Sequence, residues 1–167
     1  MFPSNLIIRL LNRADLPALE WEGQYSHFRR MYREIYQSVC QDKALMWVAD
    51  LPGKGVIGQL FVQLENPRTE LADGVECAYM YGIRIKPAYQ GFGIGAQLLS
   101  VVEKDLKQRN YSMVTLNVGK ENHRARKFYE RHGYCVVGEV PGRWSYPDDQ
   151  GHLHHIHEPS WRMEKAL

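Results

Sequence analysis

Three cysteines in 167 residues, at positions 40, 77 and 135, are too few and too scattered for a disulfide scaffold or a Cys-x-x-Cys metal knuckle. An odd set of this kind suits free, buried thiols. Neither charge sign dominates: 21 Lys plus Arg oppose 19 Asp plus Glu, for a net charge of +2. That balance supplies no electrostatic case for a phosphate-backbone partner, and the basic residues are dispersed except for Arg124, Arg126, Lys127 and Arg131. No nucleic-acid partner is expected. No apolar run reaches the length of a membrane span, so no membrane partner is expected either. The opening "MFPSNLIIRL" lacks the basic flank and hydrophobic length of a secretory leader. Repeats and low-complexity linkers are absent. A single domain over residues 1–167, soluble and cytoplasmic, is the expectation from these exclusions.

What is present alternates between strand and helix chemistry. "NLIIRLL" reads as a strand, and "NRADLPAL" as a turn leading to a helix over residues 21–40. Phe28, Tyr32, Ile35 and Val39 form that helix's apolar stripe. "ALMWVAD" and "VIGQLFVQL", joined by "PGKG", predict a hairpin within residues 44–64. "VECAYMYGIRI" is a long strand stopped before Pro87. Leu98, Leu99, Val102 and Leu106 stripe a helix over residues 93–109, and "YSMVTLNV" returns to strand. Asn122 suits the N-cap of a helix that ends at Gly133, followed by the strand "YCVVGEV". Residues 141–151 read as turns, and the last segment as a strand broken at Pro159. The order predicts an α/β domain with a mixed sheet.

The stretch "YQGFGIGAQLL" places three alternating glycines directly before a helix. Such a turn either joins strand to helix or turns several backbone N–H groups, with the unpaired amides of a helix start, toward an anion. The Gly-Lys-Ser/Thr ending of a nucleotide P-loop is absent. A dinucleotide fold also fits poorly, because the turn arises near residue 90, after a hairpin.

"RIKPAYQGFGIGAQLL", followed by "NVGKENHRARKFYERHGY", resembles the GNAT N-acetyltransferase superfamily. Gln90, Gly93 and Gly95 match its Q/R-x-x-G-x-G/A motif. Asn122, Ala125, Tyr129, Gly133 and Tyr134 match its N-x-x-A-x-x-x-Y-x-x-x-G-[FY] pattern. The resemblance is strong over residues 79–135 and implies a mixed, mostly antiparallel central sheet with helices on both faces. It implies acetyl-CoA as acyl donor, with no metal, and an acceptor that is a small-molecule amine or a peptide. Ile83, Arg84 and Ile85 would meet the pantetheine arm through their backbone. Gln90, Gly91, Phe92, Gly93, Ile94, Gly95 and Ala96 would wrap the pyrophosphate, and Asn122 would touch the cofactor. Two parallel strands, "YMYGIRI" and "SMVTLNV", would splay to admit it.

Transfer from a thioester needs a neutral amine, a stabilised oxygen and a proton for the leaving sulfur. The resemblance assigns the acid to Tyr129; its residue-level alternative is a helix tyrosine packed beside Phe128. Some relatives carry a glutamate base twelve residues earlier, where this chain has Asn117. An amide cannot take that proton. Glu76 then becomes the candidate base, with a solvent-facing strand-end charge and a water route as alternatives. A sensor or scaffold that binds acyl-CoA without turnover is the competing reading. Trp21, Tyr25, Phe28, Tyr79, Tyr81, Trp144 and Tyr146 are candidates for the acceptor groove, with Glu20, Glu22 and Glu76 as attractors for a cation. His152, His154, His155 and His157 suit a surface strand or a homodimer contact better than a zinc site.

Overall fold

A computed structural model describes residues 4–167. The start of the segment read as lacking a leader, residues 1–3, lies outside the described residues. The strands are β1 (Ile7–Leu10), β2 (Ala44–Leu51), β3 (Gly55–Gln63), β4 (Cys77–Ile85), β5 (Met113–Gly119), β6 (Cys135–Val140), β7 (Arg143–Pro147), β8 (Leu153–His157) and β9 (Ser160–Ala166). The helices are α1 (Arg29–Cys40), α2 (Ile94–Gln108) and α3 (His123–Arg131). One sheet of seven strands runs β1-β2-β3-β4-β5-β9-β6, and β7 with β8 forms a separate two-stranded ribbon. Among the described residues, only the β4–β5 pair in the large sheet is parallel.

Period-two alternation in β2 explains why both faces of the sheet are covered. Leu45, Trp47, Ala49 and Leu51 point to one side, and Met46 and Val48 to the other. The first side meets the α2 stripe of Leu98, Leu99, Val102 and Leu106, together with Tyr129 of α3. Each fully buried aliphatic side chain there contributes about 1.5–3 kcal/mol. The second side is closed by α1 through Tyr32, with Phe28, Ile35 and Val39 packed beside it, as the stripe predicts. No buried residue of β5, β6 or β9 belongs to this second cluster. The sheet is therefore covered under β1–β3 and lacks that cover toward β5 and β9.

Several sequence expectations shift. The helix expected over residues 21–40 begins only at Arg29. Before it, Trp21 and Glu22 take left-handed backbone at φ 46° and 56°, followed by Gly23 at 99°, and this breaks helical continuity. Residues 13–20 form a 3-10 stretch instead. The region read as turns contains β7, which pairs with β8, so the histidines sit in a ribbon outside the main sheet. The cysteines expected to be buried are not: Cys40 and Cys135 are exposed and Cys77 is partly buried. A lone thiol is small enough that packing does not force it inward. Gly133 does stop α3 in left-handed backbone, at φ 92°.

Gly142 sets the angle between the main sheet and the ribbon. It has φ 65°, and a Cβ there would lie 1.7 Å from the Glu158 carbonyl oxygen. That backbone cannot swing aside, because the Glu158 N–H also donates to the Gly142 carbonyl at 2.9 Å. Gly142→Ala is expected to destabilise the chain by roughly 1–3 kcal/mol, from strain plus clash. Urea denaturation of the two proteins measures this, and an unchanged midpoint would show that the ribbon is free to move.

Candidate active site

The β4–β5 pair creates the opening on which the site depends. Cys77 to Met80 pair with Met113 to Leu116, and no pair between the two strands follows. Beyond that point β4 stays with β3, up to Ile85 opposite Gly58, while β5 stays with β9, up to Gly119 opposite Ser160. A bulge drives the divergence: Gly82 and Ile83 together face the single residue Leu60, between the pairs Phe61–Tyr81 and Gln59–Arg84. Gly82 has φ 65°, and a Cβ there would come within 2.8 Å of the Phe61 ring. The buried Gln59 amide holds the bulge by donating to the Gly82 carbonyl at 3.2 Å. The splay expected of "YMYGIRI" and "SMVTLNV" is present.

At the open end of β4 the glycine turn leads into α2. Gly91 and Gly93 have φ 83° and 79°, and a Cβ on either would meet nothing within 4 Å. Both glycines thus serve backbone shape, and the space beside them is open to a ligand. Helical bonding starts with the Gln97 N–H donating to the Gly93 carbonyl at 3.0 Å. Amides of Ile94, Gly95 and Ala96 precede it at the positive end of a 15-residue helix. This concavity suits phosphate oxygens. Gln90 has a different part: its side-chain N–H donates to the Ile85 carbonyl at 2.9 Å and ties the turn to the strand end.

Ile83 and Ile85 pack against the first core cluster, which leaves their backbone to face the splay. The Arg84 side chain is fully engaged elsewhere. Its guanidinium lies 3.8 Å from the centroid of the Tyr25 ring and donates to the Tyr32 hydroxyl at 3.2 Å. Asn122 caps α3 by accepting from the Ala125 N–H at 3.1 Å, a contact worth about 1 kcal/mol.

Tyr129, on α3, is 8% exposed and packs edge-on against Phe128 and Tyr134. Burial raises its pKa, and the nearby Tyr79 phenol adds to the effect. A phenol in this setting stays protonated at neutral pH and serves as a donor. Asn117 is not idle beside it. Arg162 Nε donates to Asn117 Oδ1 at 2.8 Å, and Asn117 Nδ2 donates to the Tyr79 hydroxyl at 3.3 Å. Arginine can only donate, so it settles which way the amide points. The Tyr79 oxygen accepts from Asn117, and its own proton is left to point elsewhere. Burial raises the Tyr79 pKa, with the Arg162 charge and the Asn117 bond opposing. Local sequence patterns do not reveal Arg162, because its pairing with Asn117 joins residues 45 apart.

Glu76 is not brought to this constellation. It is exposed and precedes β4, and its carbonyl accepts from the Ser112 and Met113 N–H groups at the closed end of the β4–β5 pair. Seven residues separate it from Ile83, about 23 Å of strand at 3.3 Å per residue. The Asp73 carboxylate fixes it there, accepting from the N–H groups of Val75, Glu76 and Cys77, each at 2.9 Å. Glu20 and Glu22 are likewise occupied, by Arg29 at 2.7 Å and Lys86 at 3.2 Å.

The acceptor-side aromatics divide by position. Tyr79 and Tyr81 stack with centroids 5.6 Å apart on the floor beside the splay. Trp21, Tyr25 and Phe28 enclose Arg84, and Phe28 also meets Tyr146 of the ribbon at 4.9 Å. Trp144 stays exposed. A groove of about 560 Å³ runs between α1 and the end of β3 to Tyr81, with Glu34, Lys43 and Glu65 along it. The histidines are held within the ribbon: His154 bonds Asp148 at 2.8 Å and stacks on Tyr146, and His155 bonds the Ser145 hydroxyl at 2.8 Å.

Comparisons with known proteins agree with this geometry. The ribosomal-protein-S18-alanine N-acetyltransferase of Escherichia coli superposes with a TM-score of 0.71 at 22% identity, over 97% of this chain and 94% of that one. The PaiA N-acetyltransferase of Thermoplasma acidophilum, solved in complex with coenzyme A, gives 0.68 at 20% identity, over 98% and 99%. Among curated sequences, the 5-NmdU N-acetyltransferase of Pseudomonas phage PaMx11 is 36% identical over 63 residues, 38% of this chain and 43% of that protein. The matches to curated relatives span only about half of those proteins' length, from 43% to 58%. The profile of the Acetyltransferase (GNAT) family covers residues 11–134, most of the chain and all of the splay, the glycine turn and α3. This chain belongs to the GNAT acetyltransferase family.

Proposed function

We propose that the chain is an N-acetyltransferase that uses acetyl-CoA to acylate a primary amine of a small molecule or peptide. The observation that carries this reading is the junction of an open two-glycine cradle, a splayed strand pair and a buried phenol. Gly91, Gly93 and the first amides of α2 hold the pyrophosphate. The backbone of Ile83, Arg84 and Ile85 lines the path of the pantetheine arm through the gap between β4 and β5. Acetyl-CoA supplies a thioester carbon for attack and a thiolate as leaving group. Tyr129 gives its proton to the departing sulfur and regains one from solvent.

The amine comes from the groove that ends at Tyr81, whose ring stacks on Tyr79. Asn117 stands where a carboxylate base would serve, and its amide is locked by Arg162 and Tyr79. With Glu76 remote, water accepts the amine's proton. The acidic limb of the rate profile then belongs to the acceptor amine, which must be neutral to attack.

Gly93→Val is expected to abolish measurable CoA binding, because the side chain enters the cradle and the left-handed backbone resists it. Calorimetric titration of the folded variant checks this, and unchanged affinity would remove the turn from the cofactor site.

Tyr129→Phe is expected to keep CoA affinity and lower kcat by about 10²–10⁴-fold. The raised pKa of Tyr129 keeps the donor form present through neutral pH and loses it only as pH rises past the ordinary tyrosine range. The wild-type profile should therefore show no basic limb from this residue between about pH 7 and pH 10. Kinetics of CoA release across an amine and peptide panel provide the measurement. CoA binding with no transfer to any of these acceptors would favour an acyl-CoA sensor instead.

A further inference from the structure

We infer that Arg162 recognises the acceptor, and that the acceptor is an amino acid or a related small amine with a carboxylate beside its amine. This rests on the acetyltransferase reading above and narrows its substrate class. Strand alternation fixes where Arg162 points. Its neighbour Met163 lies in the core cluster under α2, so Arg162 faces the opposite side of the sheet, with Asn117 and Tyr79. Asn117 bonds Arg162 through its oxygen and the Tyr79 hydroxyl through its nitrogen, so one amide separates the guanidinium from β4 at the splay. Tyr79 is also the phenol that, after burial, adds to the raised pKa of Tyr129, which places this chain of contacts beside the proton donor.

The guanidinium is anchored at one corner and unsatisfied at another. Nε donates to Asn117 Oδ1 at 2.8 Å, while Nη2 is buried and meets no acceptor among the described residues. A buried donor without an acceptor is costly, and more so when it belongs to a full charge. The nearest carboxylates in the fold do not relieve it. Glu164, two residues along β9 on the same face, stands opposite Thr115 and Cys135 and forms no ion pair with Arg162. Glu70 is exposed and pairs with Arg68 at 2.9 Å. Opposite Arg162 on β6 is Gly138, where a Cβ would meet nothing within 4 Å, so space remains on that side. With Nε taken, the edge formed by Nη1 and Nη2 is left to match the two oxygens of a carboxylate.

The groups that would draw a cationic acceptor are occupied or distant. Glu20 and Glu22 pair with Arg29 and Lys86. Glu34 and Glu65 line the groove together with Lys43, and Glu65 follows β3, three strand positions from β9, or about 14 Å. Arg84, bonded to Tyr32 on the same face, adds a second positive charge. An acceptor whose carboxylate meets Arg162 while its amine reaches the splay spans the width of one amide. Its two groups then sit on the same carbon or on neighbouring carbons, as in an α- or β-amino acid.

Paired acceptors test this on the intact chain: each of a panel of α- and β-amino acids is set against its own carboxamide, with CoA release as the rate. Rates are referred to the neutral-amine fraction of each acceptor, since that form attacks. The wild-type chain is expected to favour the acid by about 10–100-fold in kcat/KM, the range of one charge-assisted contact, and mainly through KM. Arg162→Gln should bring that ratio close to one with CoA affinity kept, and Arg162→Lys should restore part of it. Were Arg162 only to position Asn117 and Tyr79, Arg162→Gln would slow acid and carboxamide alike and leave the ratio unchanged. That result, or a wild-type chain that acetylates carboxamides or amines without a carboxylate as well as the acids, would overturn the inference and leave the acetyltransferase reading standing. The wild-type ratio decides even if a variant fails to fold. If no amine of either kind is acetylated, the acetyltransferase reading falls and this inference falls with it.

Discussion

Two parallel strands that begin paired and then part are the constraint on which the other features depend. β4 and β5 share four residue pairs and then follow different neighbours, β3 on one side and β9 on the other. A hydrogen-bonded sheet ordinarily leaves no gap between adjacent strands, because unpaired backbone polar groups are costly. Here the Gly82–Ile83 bulge adds one residue to β4, and Gln59 satisfies the Gly82 carbonyl from within the covered face. The exposed backbone at the end of β4 becomes a surface that a ligand with an extended polar arm can pair with. The glycine turn, opening at Gln90 five residues after the strand ends, places a helix N-terminus next to that surface.

The uneven cover of the sheet decides what approaches from the other side. Over β1–β3, α1 and the aromatic group around Arg84 close the face. Toward β5 and β9 the same face carries Tyr79, Asn117 and Arg162 in one directed chain of hydrogen bonds. The chain is polarised by its first member, which has no acceptor capacity, so each following group has one orientation. This explains how an asparagine can occupy the place of a carboxylate without being a vacancy. It is a structural link that sets the direction of the Tyr79 hydroxyl. The ribbon of β7 and β8 packs at the start of α1, anchored by Tyr146 against Phe28 and by the backbone fit at Gly142.

Local signals in the sequence determined much of this. The α2 stripe, the β2–β3 hairpin, the Asn122 cap and the Gly133 stop are all legible because each depends on neighbours within a few residues. The glycine turn and the motif ending in Tyr129 are legible for the same reason, and together they point to the family and the cofactor cradle. Tertiary structure alone decided the rest. Glu76 looks like a base when distance along the chain is the guide, but strand geometry carries it to the closed end of β4. Asn117 looks empty of function until Arg162, from the last strand, is set opposite it. Residues 21–28 read as helix by apolar spacing, yet Trp21 and Glu22 adopt left-handed backbone while Trp21, Tyr25 and Phe28 gather round Arg84. Periodicity and capping are short-range properties carried by the chain itself. Which charges meet, and which end of a strand faces a gap, depends on contacts between residues far apart in sequence, and only the folded sheet brings them together.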